Sequence, residues 1–311
     1  MKQRPLASLL VSEVGLGCNN FGSRLDQGAT TAVVNAALDA GINFFDTADI
    51  YGDLASERQL GVALGSRRGE VVIATKFGML HDKSGVCAAP QYVRDSCDGS
   101  LTRLGTDYID LYQLHFPDET TPIAETIGAM QELVAAGKVR EIGCSNLNVA
   151  QLRDAREAAG SGPSFVSLQN QYSLLARYPE ADGTLEACEE LAMGFLPFYP
   201  LANGLLTGKV RPGQPLPEGT RLAAMPQDRQ AHWLSSDMRD HVDALINFSD
   251  SQEVPLLSLA FSWLLSHREV SSVIAGASNA QQIQANALAV RELDPAQLAR
   301  LDEITADLRS V

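Results

Sequence analysis

Cysteine is scarce and scattered in this chain. Five occur among 311 residues, at Cys18, Cys87, Cys97, Cys144 and Cys188. No Cys-x-x-Cys pair and no Cys/His cluster appears, so neither a disulfide scaffold nor a metal site is expected. Basic charge is also short: 24 Lys and Arg stand against 38 Asp and Glu, a formal net charge of −14. Sequence-independent binding to DNA or RNA needs clustered cations, and so does an anionic membrane surface. Neither partner is expected. No apolar run nears the ~20 residues of a membrane span. The N-terminal MKQRPLASLLVSEVG has only a short apolar run, broken by Glu13, and reads as a hairpin strand rather than a secretion signal. With reduced, scattered thiols, the expected location is cytoplasmic. No Pro- or Ser-rich linker divides the chain, so residues 1–311 are expected to form one domain, and 45% hydrophobic residues can give it a large core.

One further absence bears on the fold. A doubly wound dinucleotide fold would carry Gly-x-Gly-x-x-Gly after its first strand. The segment GLGCNNFG (15–22) lacks that spacing, and Asn19 and Asn20 stand where a helix should open. What is present is a steady alternation of strand and helix. After an N-terminal β-hairpin (about 6–13), eight short apolar strands are expected. They are EVGLGC (13–18), INFFD (42–46), VVIATK (71–76), YIDLYQLH (108–115), VREIGCS (139–145), FVSLQNQ (165–171), FLPFYP (195–200) and SSVIAG (271–276). Near-continuous apolar runs suit strands buried on both faces. Helical patterns fill the gaps, with 30–41 and 121–137 ending on Gly41 and Gly137, natural helix stops. Eight strands alternating with helices predict an α/β fold, a closed (β/α)8 TIM barrel with an N-terminal β-hairpin. Residues 202–237, rich in Gly and Pro, break the rhythm and read as a long functional loop at the mouth.

Four residues carry the chemistry. Asp46 follows INFF, Tyr51 lies five residues on in DTADIYG, Lys76 closes VVIATK and His115 closes YIDLYQLH. An acid, a phenol, an amine and an imidazole at strand ends suit proton chemistry, because barrel sites are built from the C-terminal ends of different strands. Each has a plainer reading: a cap for Asp46, a solvated charge for Lys76, packing for Tyr51, a barrel-mouth histidine for His115. Together they make a coherent device. A carbonyl reduced here needs a hydride, which no side chain supplies. Tyr51 can supply the proton, and a neighbouring Lys76 ammonium should lower its pKa. Asp46 can hold Lys76 charged, and His115 can hydrogen-bond the substrate oxygen.

These residues and their surrounding segments resemble the aldo-keto reductases. GLGCNNFG, NFFDTADIYG (43–52), VVIATKFG (71–78), DLYQLHFPD (110–118), IGCSNL (142–147), QNQYSLL (169–175), PLANGLLTGK (200–209) and IAGASNAQQIQAN (274–286) occur in the family order across nearly the whole chain. The resemblance implies a nicotinamide-dependent oxidoreductase interconverting aldehydes or ketones and alcohols. Asp46, Tyr51, Lys76 and His115 match its catalytic tetrad. It implies that Ser145, Asn146 and Gln169 hold the nicotinamide carboxamide and that Phe198 stacks on the ring. Leu201, Gly204, Leu206 and Lys209 match the pyrophosphate segment, and loop 202–237 a flap over the cofactor. Gly276, Ser278, Gln282 and Asn286 match positions at the adenosine end. That segment carries no Lys or Arg for a 2′-phosphate, so NADP(H) is favoured over NAD(H) only modestly. Asn19, Asn20, Phe21 and Phe116 are the expected substrate contacts. A Schiff-base aldolase or lyase using Lys76, and a non-catalytic cofactor sensor, are the rival readings.

Overall fold

The computed structural model describes residues 1–211, 214–218 and 220–309. Two antiparallel strands, β1 (Gln3–Leu6) and β2 (Leu9–Ser12), form the hairpin. Eight parallel strands follow: β3 (Val14–Gly17), β4 (Phe44–Asp46), β5 (Val72–Phe77), β6 (Ile109–Leu114), β7 (Val139–Ser145), β8 (Phe165–Gln169), β9 (Gly194–Phe195) and β10 (Val273–Gly276). They lie in the order β10-β3-β4-β5-β6-β7-β8-β9. A parallel bridge from Phe195 to Val270 joins the two ends of this sheet, with Phe195 N–H donating to Glu269 O at 2.7 Å. The fold is the (β/α)8 barrel with an N-terminal hairpin.

Strand alternation explains the interior. On β4, Phe44 and Asp46 share a face; on β5, Val72, Ala74 and Lys76; on β6, Leu111 and Gln113. Phe44, Val72, Ala74, Leu111, Leu196 and Ile274 pack with Leu6, Leu9 and Val11 of the hairpin in one apolar cluster. Their strand neighbours Phe45, Ile73 and Tyr112 belong to the larger outer cluster beneath the helices. The barrel therefore has an apolar floor stoppered by the hairpin, and a polar layer of Asp46, Lys76, Gln113 and Gln169 above it. Gly143 makes room in that layer, since a Cβ there would stand 2.3 Å from Ser167 Oγ.

The helices follow their local signals. Pro90 opens Pro90–Leu104, and Gly105, at φ 64°, closes it. Asn148 and Gln151 form a capping box on Val149–Ala159. Two expectations need correction. The seventh strand was expected over 195–200, but regular pairing covers only Gly194–Phe195. Pro197 and Pro200 have no N–H to give the ladder. Residues 202–237 are not all loop: a 3-10 turn spans Ala202–Thr207, and helices cover Gln227–Trp233 and begin again at Ser236. No described helix is long and apolar enough to cross a membrane.

Candidate active site

Strand register brings the tetrad together. Asp46 ends β4, and Lys76 sits one strand along on β5, its Nζ donating to Asp46 Oδ2 at 2.6 Å and to Thr47 O at 2.9 Å. An ammonium has three donors, so one N–H remains. Tyr51 is the neighbour beside it, with its ring centroid 5.3 Å from Nζ. The other Asp46 oxygen accepts from Gln169 Nε2 at 2.9 Å and Gln113 Nε2 at 3.3 Å. The carboxylate thus ties β4, β5, β6 and β8 at one level. His115 follows β6 and meets Tyr51 edge-on, ring centroids 6.0 Å apart.

Burial sets the electrostatics. Lys76 has no exposed surface, yet its pKa stays raised because Asp46 outweighs the desolvation penalty. The sequence-based expectation for Tyr51 was a lowered pKa. The structure reverses the sign: burial pushes the phenol above its ordinary value, and the Lys76 ammonium only partly opposes it. His115 is pulled down to about 3, first by burial and then by Lys76, so it is neutral near pH 7. Its Nδ1 is buried without a hydrogen-bond partner, and Phe116 stacks on the ring at 4.8 Å.

A cavity of about 420 Å³ opens above this layer, walled by Asp46, Tyr51 and Gln169 at its base. Of the expected cofactor residues, Phe198, Leu201, Gly204, Lys209, Gly276, Ser278, Gln282 and Asn286 also line it. Ser145, Asn146 and Leu206 are not on its wall. Ser145 Oγ donates to Gln169 O at 2.6 Å, and Asn146 Nδ2 donates to His115 O at 2.9 Å, so both hold the strand ends in place. Leu206 is fully buried in the core. Of the expected substrate residues, Asn19 and Asn20 line the cavity, but on its Gly276 side, where Asn20 Nδ2 donates to Ala277 O at 3.1 Å. Phe21 is wholly buried in the core and is not on the cavity wall. Phe116 is not on the cavity wall; it stacks on His115, which is not on the wall either.

The wall also contains Arg24, Tyr199, Asn203 and Arg221, which sequence reasoning missed. Tyr199, Ala202 and Asn203 all have positive φ, at 51°, 45° and 56°. Such strain in non-glycine residues gathers at binding sites. Asn203 Oδ1 is buried and has no partner. An aromatic face, three glycines, several cations and an unsatisfied amide oxygen fit a nicotinamide dinucleotide.

Comparisons with known proteins bear on the family and the fold. Residues 13–306 match the model described as Aldo/keto reductase family. A rice protein named "Probable voltage-gated potassium channel subunit beta" is 32% identical, over 98% of this chain and 95% of its own. The L-glyceraldehyde 3-phosphate reductase of Escherichia coli is 30% identical, over 93% of this chain and 87% of its own. Among solved structures, the holo form of aldo-keto reductase AKR11C1 from Bacillus halodurans superposes with a TM-score of 0.79. It is 31% identical, over 98% of this chain and 96% of that one.

Proposed function

Since the chain belongs to the aldo/keto reductase family, we propose that it moves a hydride between NADP(H), or less readily NAD(H), and a carbonyl/alcohol pair, with Tyr51 exchanging the proton. The observation that carries this reading is the convergence of Asp46, Tyr51, Lys76 and His115 at one barrel mouth. The nicotinamide, when bound, supplies or accepts the hydride. Phe198 would face its ring and Gln169 its carboxamide. Gln169 Nε2 is already given to Asp46, which leaves Oε1 to accept.

The protein's own groups handle the proton. Tyr51 is neutral before reaction, because burial holds its pKa up. As it gives its proton to the substrate oxygen, the phenolate meets the Lys76 ammonium, and this interaction strengthens only as charge develops. Asp46 keeps Lys76 charged and fixed. Neutral His115 orients the substrate oxygen by hydrogen bonding and adds no second cation. The aldolase reading is disfavoured by the same geometry: a buried, ion-paired ammonium is not nucleophilic. The sensor reading predicts cofactor binding without turnover, so single-turnover oxidation of bound NADPH separates it.

The substrate is proposed to be a small aldehyde or ketone. The Escherichia coli relative's name makes a short phosphorylated aldose one arm of the test. A panel of aldehydes, ketones, sugars and glyceraldehyde 3-phosphate, read at the cofactor absorbance with NADPH and NADH, should show reduction. Tyr51→Phe should lower kcat by roughly 10²–10⁴ while cofactor binding persists. Near-native kcat in a chemistry-limited assay would remove Tyr51 from the mechanism.

A further inference from the structure

The segment that meets the adenosine end in the proposed reading, Gly276–Asn286, has no Lys or Arg. Its polar side chains are partly spent on one another. Gln282 Oε1 accepts from Ser278 N at 2.8 Å and from Ser278 Oγ at 3.2 Å. Recognition of a 2′-phosphate needs a cation from elsewhere, since charge-assisted hydrogen bonds are the strong ones.

The loop after β3 supplies one. Asn20 Nδ2 is bonded to Ala277 O, and a Cβ added to Gly276 would stand 3.1 Å from Asn19 Oδ1. The two segments are therefore in close contact. The turn then fixes Arg24, because Arg24 N and Leu25 N both donate to Asn20 O, at 2.9 and 3.0 Å. Arg24 lines the same cavity as Ser278 and Gln282. Among the described residues its guanidinium has no carboxylate partner, whereas Arg103 and Arg177 are held by Glu57 and Glu180. In a chain of net charge −14, an uncommitted arginine on a cavity wall is available for an anion.

We infer that Arg24 binds the adenosine 2′-phosphate and sets the preference for NADP(H) over NAD(H), an inference that rests on the cofactor reading above. Lys209 and Arg221 enter the cavity from the segment after β9. Arg221 leans on the Tyr199 ring at 4.9 Å and donates to its hydroxyl at 3.3 Å, and Glu218 shares that wall. That side suits the pyrophosphate, which both cofactors contain.

Calorimetric titration of the full chain with 2′,5′-ADP and 5′-ADP tests this without turnover. The native protein should prefer 2′,5′-ADP. Arg24→Gln should weaken 2′,5′-ADP about ten- to a hundred-fold and leave 5′-ADP nearly unchanged. Arg24→Lys should keep part of the preference, and added salt should erode it, because the group is exposed. Unchanged 2′,5′-ADP affinity in Arg24→Gln, or a selective loss that appears in Arg221→Gln instead, overturns the assignment. Equal affinity of the native protein for the two nucleotides overturns it too, while leaving the cofactor reading intact. Binding of neither nucleotide, nor of NADPH, takes down that reading and the inference with it.

Discussion

Asp49, three residues after Asp46, has no exposed surface. No side-chain donor reaches either of its oxygens within hydrogen-bond distance, and His81 Nε2 stands 3.6 Å from Oδ2. Glu57, Arg103, Lys76 and Tyr92 face it from the neighbouring elements. Burial first, and then the charge of Glu57, push its pKa up to about 7. The folded state therefore holds a proton that the unfolded chain releases near 3.8. The resulting stability is full below 3.8 and is lost as pH rises through 7, an interval on the order of 4 kcal/mol. Asp49→Asn should thus gain stability relative to the native protein as pH climbs from 4 to 8, measured by urea unfolding. A difference independent of pH would contradict the buried, protonated carboxyl. His115 runs the other way: its lowered pKa makes stability fall as pH drops from 6.5 toward about 3. At the residues proposed to react, Lys76→Met should lower kcat by roughly 10²–10⁴ and move the alkaline limb of the pH–rate profile upward, because Tyr51 loses the one cation opposing its burial. An unmoved profile would detach Lys76 from Tyr51. The gathering of Asp46, Tyr51, Lys76 and His115 was legible because four uncommon residue types close or follow apolar runs at barrel spacing. The sign of the Tyr51 shift was not, since it depends on how much protein surrounds the phenol. Arg24 and Asp49 were illegible for the same reason: a loop arginine and a turn aspartate have no pattern until the fold surrounds them.

At the scale of elements, the sequence's strand runs held where backbone donors were intact. β7 spans Val139–Ser145 as read, whereas prolines cut β9 short. Helix ends were marked in the sequence by Gly41 and Gly137, and the structure adds Gly105 and the Asn148 cap, because cap chemistry is local. The ties between elements were invisible, because they join residues far apart in the chain. Glu57, in helix Ala55–Leu64, is fully buried and accepts from Thr75 Oγ1 of β5 and from Arg103 Nε of helix Pro90–Leu104, both at 2.6 Å. Removing the arginine strands a buried carboxylate. Arg103→Met should cost about 3–5 kcal/mol of stability in urea unfolding. Arg67→Met, which breaks an exposed pair with Glu70, should barely move the curve. Similar losses in both would mean that the buried pair is not what fastens these elements together.

At the scale of the whole molecule, eight strands make one wall, and Lys209, Pro217, Glu218, Thr220 and Arg221 of the segment 202–237, which follows β9 in the chain, line the cavity at its mouth. Lys209 and Arg221 both face the cavity, so bound dinucleotide should shield the peptide bonds after them. Trypsin should cut there more slowly with saturating NADPH than without; equal rates would argue against a covering role for this segment. The opposite end of the barrel has a different consequence. Leu6, Leu9 and Val11 of the hairpin seal the floor, and Leu6 presses so close to β9 that a methyl at Gly194 would meet it at 2.3 Å. Among the described residues, a sealed floor leaves the mouth as the way in. Whatever settles deepest must arrive first and depart last, and anything seated above it controls the exit. If the cofactor lies beneath the substrate, the hairpin's closure of the floor makes an ordered sequence of arrival and release the expected outcome, which product-inhibition patterns would check.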